Sequence, residues 1–348
     1  MATFEIPSGE RLLVAGRGAG QSDGLHQWTF GEGGWRGVHL ATVDQLASLA
    51  PHRSLAVVYG SSGTGDEGFI HGWRLDGERA DRIGGKSSEG LSPCHVAVDP
   101  EGRFLVVTNY RTSALGVQRL TPQGGFDGEI DLIPLSGRGL DPERQSGPRP
   151  HQTLFHQGRV YVVDLGADRV REFEIDKAAT GEAGLRETGA TPVPPGTGPR
   201  HGVWLPDGRL AIAAELASTI VLGRPGIAAE EWGVTKSTTH TGPAKTRFDR
   251  NYPGDIRCSA DGRYAYLANR GYDTIATFDV SGPLPVMVSE IDAGVAWPQH
   301  LLIHGDHLLV AGWESSRVVA MPLVDGLPAA AEPVFDCGGA GWLTLMRY

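Results

Sequence analysis

The sequence has few cysteines and no long apolar run. Its three cysteines, Cys94, Cys258 and Cys337, are odd in number and widely spaced, which excludes a disulfide framework and a zinc-binding pattern. No apolar stretch approaches the roughly 18 residues of a membrane span. The first residues lack the charged segment and apolar core of a secretory signal peptide. These absences predict a cytoplasmic protein that does not enter a membrane.

Clustered positive charge is also missing. The 348 residues contain 31 Lys and Arg against 41 Asp and Glu, a formal net charge of -10, without a Lys/Arg cluster. Nucleic acid is therefore not expected as a partner. Helical periodicity is scarce as well, because almost no segment repeats its apolar residues with the period of a helix. The best candidate for a short helix is Ala41–Ala50.

Turns and a repeat are what the sequence does contain. It has 50 Gly and 23 Pro without a low-complexity tract, which indicates many turns between short strands. The phrase His95–Asn109, HVAVDPEGRFLVVTN, returns as His201–Glu215, HGVWLPDGRLAIAAE, and again as Asp255–Asn269. Weaker copies begin at His151 and His300, so successive copies start 45 to 56 residues apart. Such a period is typical of one supersecondary unit used many times.

Each copy predicts a β-hairpin followed by two further strands. In residues 201–215 an apolar run leads into Pro206-Asp207-Gly208 and a second apolar run follows, as in two strands joined by a turn. A third run, such as Thr219–Leu222, and a more variable fourth run precede the next copy. Four short antiparallel strands per period indicate a propeller blade. Seven blades are predicted, at residues 10–40, 43–84, 92–135, 149–193, 199–235, 253–293 and 298–325.

The predicted architecture is therefore an all-β, seven-bladed β-propeller, formed as a single domain over residues 1–348. The strand-like run Gly341–Tyr348 is left over after the seventh blade. We expect it to pair with the first blade, so that the amino- and carboxy-terminal strands close the ring without an open edge. A closed propeller of this kind is expected to be a monomer.

Polar residues recur at the two ends of the repeated hairpin. Because its strands are antiparallel, both ends lie at the same rim, and seven blades bring these residues around one mouth of the central channel. The predicted ring is His95, His151, His201, Asp255 and His300. The residues expected close behind it are Asn109, Asp164, Glu215, Asn269 and Glu314. Arg200 and Arg270 add positive charge beside His201 and Asn269.

Two interpretations of this rim remain open. The side chains could cap strand ends and bridge blades, as buried polar groups do. Alternatively, several imidazoles, carboxylates and guanidiniums that converge on one concave site could form a general acid/base pocket. Asp168 and Asp273 are expected to accept hydrogen bonds from turn amides. Cys94 is interpreted as packing, with a nucleophile as the minor alternative, because a thiolate needs an activating group.

Two long polar segments precede predicted innermost strands. Ser136–Pro150 contains Arg144, and Lys236–Pro253 contains Lys245 and Arg247. Long loops in a compact domain are often functional. They would hang over the mouth, where their basic residues could contact a phosphate. The alternative is a solvated surface loop.

Several stretches together resemble the lactonase family of seven-bladed β-propellers, which includes the propeller type of 6-phosphogluconolactonase and the fungal carboxy-cis,cis-muconate cyclases. The matching stretches cover about residues 90–325, and they are PERQSGPRPH at 142–151, VDLGAD at 163–168, GTGPRH at 196–201, AELAST at 214–219 and LANRGYD at 267–273. The second blade departs from the family, with Val58-Tyr59-Gly60 where Asn-Glu is expected at the strand end. The resemblance implies a functional set of His151, Glu215, Arg200 and Arg270.

The resemblance implies a lactonase that opens a small, sugar-derived and anionic lactone such as 6-phosphogluconolactone. Lactone hydrolysis needs a base for water, a cation for the oxyanion and an acid for the leaving alkoxide. In this hypothesis His151 or Glu215 activates water, and Arg200 and Arg270 hold the oxyanion or an anionic group. The scheme needs no metal or cofactor. The residues expected to bind or orient substrate are His95, Asn109, His201, Asp255, Asn269, His300 and Arg144.

Three alternatives differ in chemistry. A muconate-type cycloisomerase would form a lactone instead of opening one. A metal-dependent lactonase could hold a divalent cation, and its ligands would be Asn109, Asn269, Asp255 and Glu215. A non-enzymatic propeller would be a binding platform, since fold does not determine function. Its aromatic anchors at the rim would be Trp204, Trp297 and Trp313.

Overall fold

The repeated hairpin forms where the sequence predicts it. In a computed structural model, which describes residues 4–18, 23–63, 66–175, 184–241 and 250–347, Leu205 N–H donates to the Arg209 carbonyl (2.7 Å) across the Pro-Asp-Gly turn. Gly208 takes a φ of 82°, a left-handed conformation that glycine adopts without steric cost. Gly102 and Gly262 occupy the same place in two other hairpins, each with a φ of 72°. The turn residues therefore determine the hairpins locally.

Seven antiparallel sheets result, which we number as blades 1 to 7. Blade 1 contains β1 (Glu10–Arg17), β2 (Asp23–Gly31) and β3 (Gly34–Thr42), together with β29 (Ala340–Arg347). Blade 2 contains β4 (Leu46–Pro51), β5 (Val57–Ser62), β6 (Phe69–Asp76) and β7 (Arg79–Ser87). Blade 3 contains β8 (Pro93–Val98), β9 (Phe104–Asn109), β10 (Ala114–Leu120) and β11 (Phe126–Pro134).

The remaining blades follow in chain order. Blade 4 contains β12 (Pro150–His156), β13 (Arg159–Asp164), β14 (Arg169–Ile175) and β15 (Leu185–Pro192). Blade 5 contains β16 (Pro199–Trp204), β17 (Leu210–Ala214), β18 (Thr219–Gly223) and β19 (Gly233–Lys236). Blade 6 contains β20 (Pro253–Cys258), β21 (Tyr264–Asn269), β22 (Thr274–Asp279) and β23 (Val286–Asp292). Blade 7 contains β24 (Pro298–His304), β25 (His307–Gly312), β26 (Arg317–Val324), β27 (Leu327–Pro328) and β28 (Glu332–Asp336).

The first strand of each blade in the spatial order lies innermost, and these strands form a closed ring. Contacts run from β29 to β4, β8, β12, β16, β20, β24 and back to β29. The architecture is therefore the predicted seven-bladed β-propeller. Ring closure by the terminal strands is confirmed, because β29 pairs antiparallel with β1, with Leu12 opposite Leu345 and Val14 opposite Leu343.

The hydrophobic core lies between neighbouring blades. Strands that alternate their side chains bury both faces, because each sheet is covered on either side by the next blade. Between blades 5 and 6, for example, Ala213 and Ile220 pack in one cluster with Leu267, Ala276 and Phe278. Tyr59 and Tyr266 add polar links between blades, since their hydroxyls donate to the carbonyls of Gly124 (2.7 Å) and Gly326 (2.8 Å).

Two local predictions are wrong. The helix predicted at 41–50 is absent: Ala41 pairs with Leu25 at the end of β3, and Leu49 pairs with Gly60 in β4. Strand pairing in the blades outweighs the weak local helix preference of this segment. The predicted strand end at Val58–Gly60 is also misplaced, because β5 continues to Ser62. Among the described residues, the helical structure is a single 3-10 turn at Ala229–Glu231.

The described residues contain neither a membrane-spanning helix nor a disulfide bond. No described helix has the length and apolar content needed to cross a bilayer. Cys94, Cys258 and Cys337 are all free thiols.

Candidate active site

A β-bulge at the start of each innermost strand leaves at least one residue per blade out of the strand pairing, near the channel mouth. The pairing skips one residue, as between Pro150 and Gln152 or between Pro199 and His201. A bulge re-aims the residue that it leaves unpaired. The skipped residues are Ala47, Cys94, His151, Arg200, Gln299 and Gly341. In blade 6 the skip covers Gly254 and Asp255.

A second ring of residues stands at or just beyond the end of the next strand. Each N–H of this ring donates to the carbonyl that precedes the innermost strand of the same blade, as Arg270 does to Tyr252 (3.3 Å). The equivalent residues are Arg17, Tyr110, Leu165, Glu215, Arg270 and Trp313. Members of both rings line one cavity of about 330 Å³, whose polar and aromatic walls include Arg17, Tyr110, Arg111, His151, Arg200, His201, Arg270, Trp313 and Trp342.

The predicted ring of five residues is split between two layers. His151 is a bulge residue that lines the cavity, whereas His95, His201, Asp255 and His300 stand one position further along their strands. In blade 4 that deeper position belongs to Gln152. Sequence spacing alone aligns His151 with the other histidines, because a bulge shifts the register without a visible signal.

The deeper layer is mostly a structural belt. Side chains of one blade accept a hydrogen bond from a backbone N–H of the next blade: Thr153 donates to His95 Nδ1 (3.4 Å), Gly202 to Gln152 Oε1 (2.7 Å) and Leu343 to His300 Nδ1 (3.2 Å). Ser48 and Asp255 accept in the same way from Val96 (3.0 Å) and Leu301 (2.8 Å). At these seams the strand-bridging interpretation is the correct one.

His201 is the exception in this belt. Its Nδ1 lies 2.9 Å from Oδ1 of the buried Asp255 carboxylate, so Nδ1 carries the proton and donates it to the carboxylate. Its Nε2 is buried without a hydrogen-bond partner. Burial, followed by the positive charge of Arg200, holds the pKa of His201 well below its usual range. The result is a neutral imidazole with an unused lone pair.

Sequence analysis missed the second partner of Asp255. Arg257 donates to Asp255 Oδ1 (2.8 Å), and its Nη2 lies 2.7 Å from His300 Nε2. Arg257 is two residues beyond Asp255 on the same strand, which places both side chains on one face. That spacing was the available signal.

His151 is the imidazole with the most direct access to the cavity. Its Nδ1 lies 3.9 Å from Cys94 Sγ, and its ring packs edge-on against His201, with 5.1 Å between ring centres. Burial and the charge of Arg200 hold the pKa of His151 well below its usual range. Burial raises the pKa of the Cys94 thiol to about 11, so Cys94 stays protonated, in agreement with a packing role.

Glu215 lies beneath the cavity among three guanidiniums. Arg144 Nη2 is 2.6 Å from Oε1, Arg270 Nη2 is 2.6 Å from Oε2, and Arg200 Nε is 3.1 Å from Oε2. Burial by itself would raise the pKa of Glu215, but Arg270, Arg200 and Arg144 outweigh it and keep the carboxylate ionised. Burial, with help from Arg200, lowers the pKa of Arg270 to about 9, which leaves its guanidinium charged at neutral pH.

The residues predicted close behind the ring make different contacts. Asn109 donates to the Ser88 carbonyl (3.0 Å) and Asn269 to the Ser237 carbonyl (2.7 Å). Asp164 forms a buried ion pair with Arg171 (2.8 Å). Glu314 is exposed. Glu215 of the predicted group contacts the cavity guanidiniums. The hairpin loop of blade 5 is one residue shorter than that of blade 3, since His201 pairs with Ala213 whereas His95 pairs with Thr108. Glu215 therefore lies one position beyond the place that Asn109 occupies in blade 3.

The long segments contribute unequally. Arg144 of the first segment donates to Glu215 Oε1 (2.6 Å) and Tyr110 Oη (3.3 Å), which brings one basic residue of this segment to the residues around the cavity. Lys245 and Arg247 of the second lie outside the described residues. Asp168 accepts from the amides of Gly196 (2.7 Å) and Gly198 (2.8 Å), as predicted for a turn carboxylate. Asp273 does the same for Trp297 N–H (2.8 Å).

Comparisons with known proteins agree with this architecture. The model of the family described as "Lactonase, 7-bladed beta-propeller" matches residues 11–326. The 6-phosphogluconolactonase of Bacillus subtilis is 27% identical over 260 residues, which is 72% of each chain. The 6-phosphogluconolactonase of Formosa agariphila is 25% identical over 312 residues, covering 85% of this chain and 87% of that one.

Solved structures share the fold. A protein from Lactobacillus plantarum superposes with a TM-score of 0.85 at 24% identity, covering 97% of this chain and 99% of its own. The periplasmic gluconolactonase of Pseudomonas aeruginosa superposes with a TM-score of 0.82 at 21% identity, with the same coverage. Together with the family match over most of its length, these findings show that the chain belongs to the lactonase family of seven-bladed β-propellers.

Proposed function

We propose that this protein hydrolyses a small anionic lactone of a sugar acid, with 6-phosphogluconolactone as the first candidate. One observation supports the proposal most: His201, a neutral imidazole whose buried Nε2 has no hydrogen-bond partner, lines the same cavity as the charged guanidiniums of Arg200 and Arg270. Two relatives that match most of their length are 6-phosphogluconolactonases. The groups at the cavity match the requirements of ester hydrolysis, a base and a cation for the oxyanion.

His201 is the favoured general base. Asp255 holds its proton on Nδ1, which leaves Nε2 to accept a proton from water, as in the imidazole of a catalytic triad. His95 and His300 are less suited, because their Nδ1 atoms accept from backbone amides. His151, one of the two bases that the sequence analysis left open, lines the cavity and is the second candidate.

Glu215 receives a different role from the one expected. Three guanidiniums engage both oxygens of the Glu215 carboxylate, so neither oxygen is available to take a proton from water, and the side chain instead positions Arg200 and Arg270. Arg270 donates to Glu215, Gln299 and the Tyr252 carbonyl, so its guanidinium is held in one orientation. Donors that are preorganised in this way stabilise charge that develops in the transition state.

The reaction then proceeds in two steps. His201 Nε2 takes a proton from water as the hydroxide oxygen adds to the lactone carbonyl carbon, and Arg200 and Arg270 stabilise the resulting oxyanion. The oxyanion collapses, the ring C–O bond breaks, and the His201 imidazolium returns its proton to the leaving alkoxide. The product is the open hydroxy acid, and one imidazole serves as base and then as acid.

The residues favour this scheme over a metal-dependent one. Three of the four candidate ligands are engaged elsewhere: Glu215 with guanidiniums, Asp255 with His201 and Arg257, and Asn269 Oδ1 with Asn251. Within the described ranges, no three His, Cys, Asp or Glu side chains are grouped as ligands for a metal ion. We therefore expect activity to survive treatment with EDTA.

A binding platform would need accessible aromatic anchors. Trp204 stacks on His156 with 4.0 Å between ring centres, and Trp297 and Trp313 lie beneath Arg270 and Arg17 at 5.1 and 4.8 Å. All three rings are therefore occupied by contacts within the chain. Monomeric state, a cytoplasmic location and the absence of macromolecular partners remain part of the proposal, and light scattering of the purified protein checks the first.

The test compares hydrolysis of freshly generated 6-phosphogluconolactone with that of gluconolactone, corrected for spontaneous opening. His201→Gln should lower kcat by about 10² to 10⁴, the usual contribution of a general base. His95→Gln is the matched control, because Gln152 already fills the equivalent place in blade 4 and accepts the same kind of amide hydrogen bond.

Each outcome has a distinct meaning. Loss of activity in His151→Gln but not in His201→Gln would transfer the role of base to His151. Equal losses in the His95 and His201 variants would contradict a special role for either imidazole. If the wild type opens neither lactone but forms one from a muconate-type dicarboxylate, cyclisation replaces hydrolysis as the activity.

A further inference from the structure

Arg17 enters the cavity at the seam where the chain closes its ring. Arg17 is the last residue of β1 and is equivalent to Arg270 of blade 6. The backbone N–H of each residue donates to the carbonyl that precedes the innermost strand of its blade, and for Arg17 this is the Gly339 carbonyl at 2.8 Å. The sequence analysis did not find it, because the first blade lacks the repeated phrase.

Glycine at the bulge position makes room for both arginines. A Cβ on Gly254 would stand 2.9 Å from Arg270 Cδ, and a Cβ on Gly341 would stand 3.2 Å from Arg17 Cδ. In blades 3, 4, 5 and 7 the same position carries a side chain that lines the cavity. Blades 1 and 6 therefore use the same device, in which a missing side chain is replaced by an arginine from the neighbouring strand.

The two arginines differ in how their charge is compensated. Arg270 shares the Glu215 carboxylate with Arg200 and Arg144. Arg17 forms no ion pair with a carboxylate in the part of the chain that the structure describes; its guanidinium lies over the Trp313 ring (4.8 Å) and its Nη2 lies 3.4 Å from Gln45 Oε1. Its Nε is buried without a hydrogen-bond partner.

The surroundings of Arg17 compensate its charge without a direct ion pair. Asp23 is the carboxyl whose charge acts on Arg17, and burial raises the pKa of Asp23 to about 6, so this compensation is lost on mild acidification. Arg200 adds repulsion. Buried charges in proteins are normally paired, and a guanidinium cannot lose its proton at neutral pH. The guanidinium of Arg17 is therefore suited to an anion that comes from outside the chain.

We propose that Arg17, held by Trp313 and Gln45, binds the phosphate group of the lactone substrate. The planar guanidinium presents paired N–H donors that match phosphate oxygens, and stacking on the indole leaves its edge available. Arg200 and Arg270, already tied to Glu215, serve the lactone carbonyl. This division of labour rests on the proposed function, and it makes Arg17 the residue that distinguishes phosphorylated from neutral lactones.

The test measures KM and kcat for the phosphorylated and unphosphorylated lactones in wild type, Arg17→Met and Arg17→Lys. Arg17→Met should raise KM for the phosphorylated lactone about 10- to 100-fold, the effect of a lost charge-assisted hydrogen bond, and should change KM for the neutral lactone much less. Arg17→Lys should show a smaller increase, because it keeps the charge but not the paired donors. Arg36→Met is the control, since Arg36 forms an exposed ion pair with Glu78.

A binding measurement separates this inference from the proposed function. Calorimetric titration with 6-phosphogluconate, beside gluconate, requires no turnover and should show Arg17-dependent affinity for the phosphorylated ligand. If the wild type binds 6-phosphogluconate through Arg17 but hydrolyses neither lactone, the lactonase proposal fails and the subsite stands. If the wild type hydrolyses both and Arg17→Met changes KM for both equally or for neither, the subsite is overturned and the lactonase stands. Thermal unfolding of each variant establishes that it is folded.

Discussion

At the scale of single residues, the environment separates side chains that look equivalent in sequence. His95, His201 and His300 share one position in their blades, but the first and last use Nδ1 to accept from a backbone amide. His201 instead donates Nδ1–H to Asp255 and keeps Nε2 free. The neighbouring group decides the tautomer, and the tautomer decides whether an imidazole can take a proton.

Asp255→Asn tests this difference. The Asn side chain can donate N–H to His201 Nδ1, which would move the imidazole proton to Nε2 and remove the base. We expect kcat to fall by about 10² to 10⁴ with a small change in KM, as when the orienting carboxylate of a triad is replaced. Steady-state kinetics checks the prediction, and circular dichroism checks folding. Retention of more than a tenth of the wild-type kcat would be inconsistent with His201 as the base.

Glu215→Gln removes the shared partner of three guanidiniums. Breaking a buried ion pair leaves uncompensated charge and costs about 3 to 5 kcal/mol. We expect a drop of that size in the free energy of unfolding, measured with urea, and reduced activity. Glu78→Gln provides the control, since its exposed pair with Arg36 should be worth less than about 1 kcal/mol. Equal effects of the two substitutions would contradict a special role for Glu215.

At the scale of elements, bulges and loop lengths place the functional side chains. The bulge after Pro150 sends His151 to the cavity and leaves Gln152 in the belt. The shorter hairpin of blade 5 brings Glu215 beneath the cavity. The equivalent residues of blades 3 and 6 are Tyr110 and Arg270, which follow Asn109 and Asn269. Of the residues of blade 2 that the structure describes, Ala47 and Gly63 alone line the cavity.

Links between blades should contribute independently. Tyr59→Phe and Tyr266→Phe each remove one hydroxyl that donates to a glycine carbonyl of the next blade. We expect each to lower the free energy of unfolding by about 1 kcal/mol. Because the two links lie in different pairs of blades, the double variant should show the sum. Urea denaturation of the three variants tests this, and a marked departure from additivity would mean that distant seams are coupled.

Strand β29 should be indispensable. A chain that ends at residue 339 lacks the partner of β1 and exposes the paired edge around Leu12 and Val14. We expect loss of the cooperative thermal transition, because the inter-blade cores on both sides of blade 1 lose residues such as Leu343 and Met346. Adding a peptide of residues 340–347 should restore it. An unchanged melting temperature in the truncated chain would show that closure contributes little.

At the scale of the whole molecule, the closed ring of blades buries several histidines. Burial lowers the pKa of His71 to about 4 and that of His95 to about 3, and it lowers the pKa values of His151, His201 and His300 as well. The folded protein therefore keeps these imidazoles neutral at pH values where the unfolded chain protonates them.

Stability should fall as pH falls below about 6.5, the value for histidine in the unfolded chain. Between that pH and the lowered pKa the unfolded state binds more protons, so the unfolded state is favoured on acidification. His71 and His95 together should cost roughly 4 kcal/mol at about pH 5. Urea denaturation between about pH 7.5 and 5 measures this. His71→Gln should flatten the profile, and an equally steep profile would assign the effect to other groups.

The sequence by itself determined the architecture. Period-two alternation, Pro-Asp-Gly turns and the repeat period are local signals, and they predicted seven four-stranded blades and the closing strand without reference to contacts. They also predicted that His151, Glu215, Arg200 and Arg270 would converge, and the structure places the other three around one cavity with Glu215 beneath it. Local signals failed at 41–50, where strand pairing overrides the local preference.

The tertiary structure alone decided which residue does what. A one-residue bulge or a shorter loop changes the layer in which a side chain lies, and neither is visible in the spacing of the repeat. Asp255 selects the tautomer of His201 across a blade seam, three arginines keep Glu215 ionised, and Gly341 admits Arg17 from the strand that closes the ring. These contacts join residues far apart in the chain, so they exist only once the ring has closed.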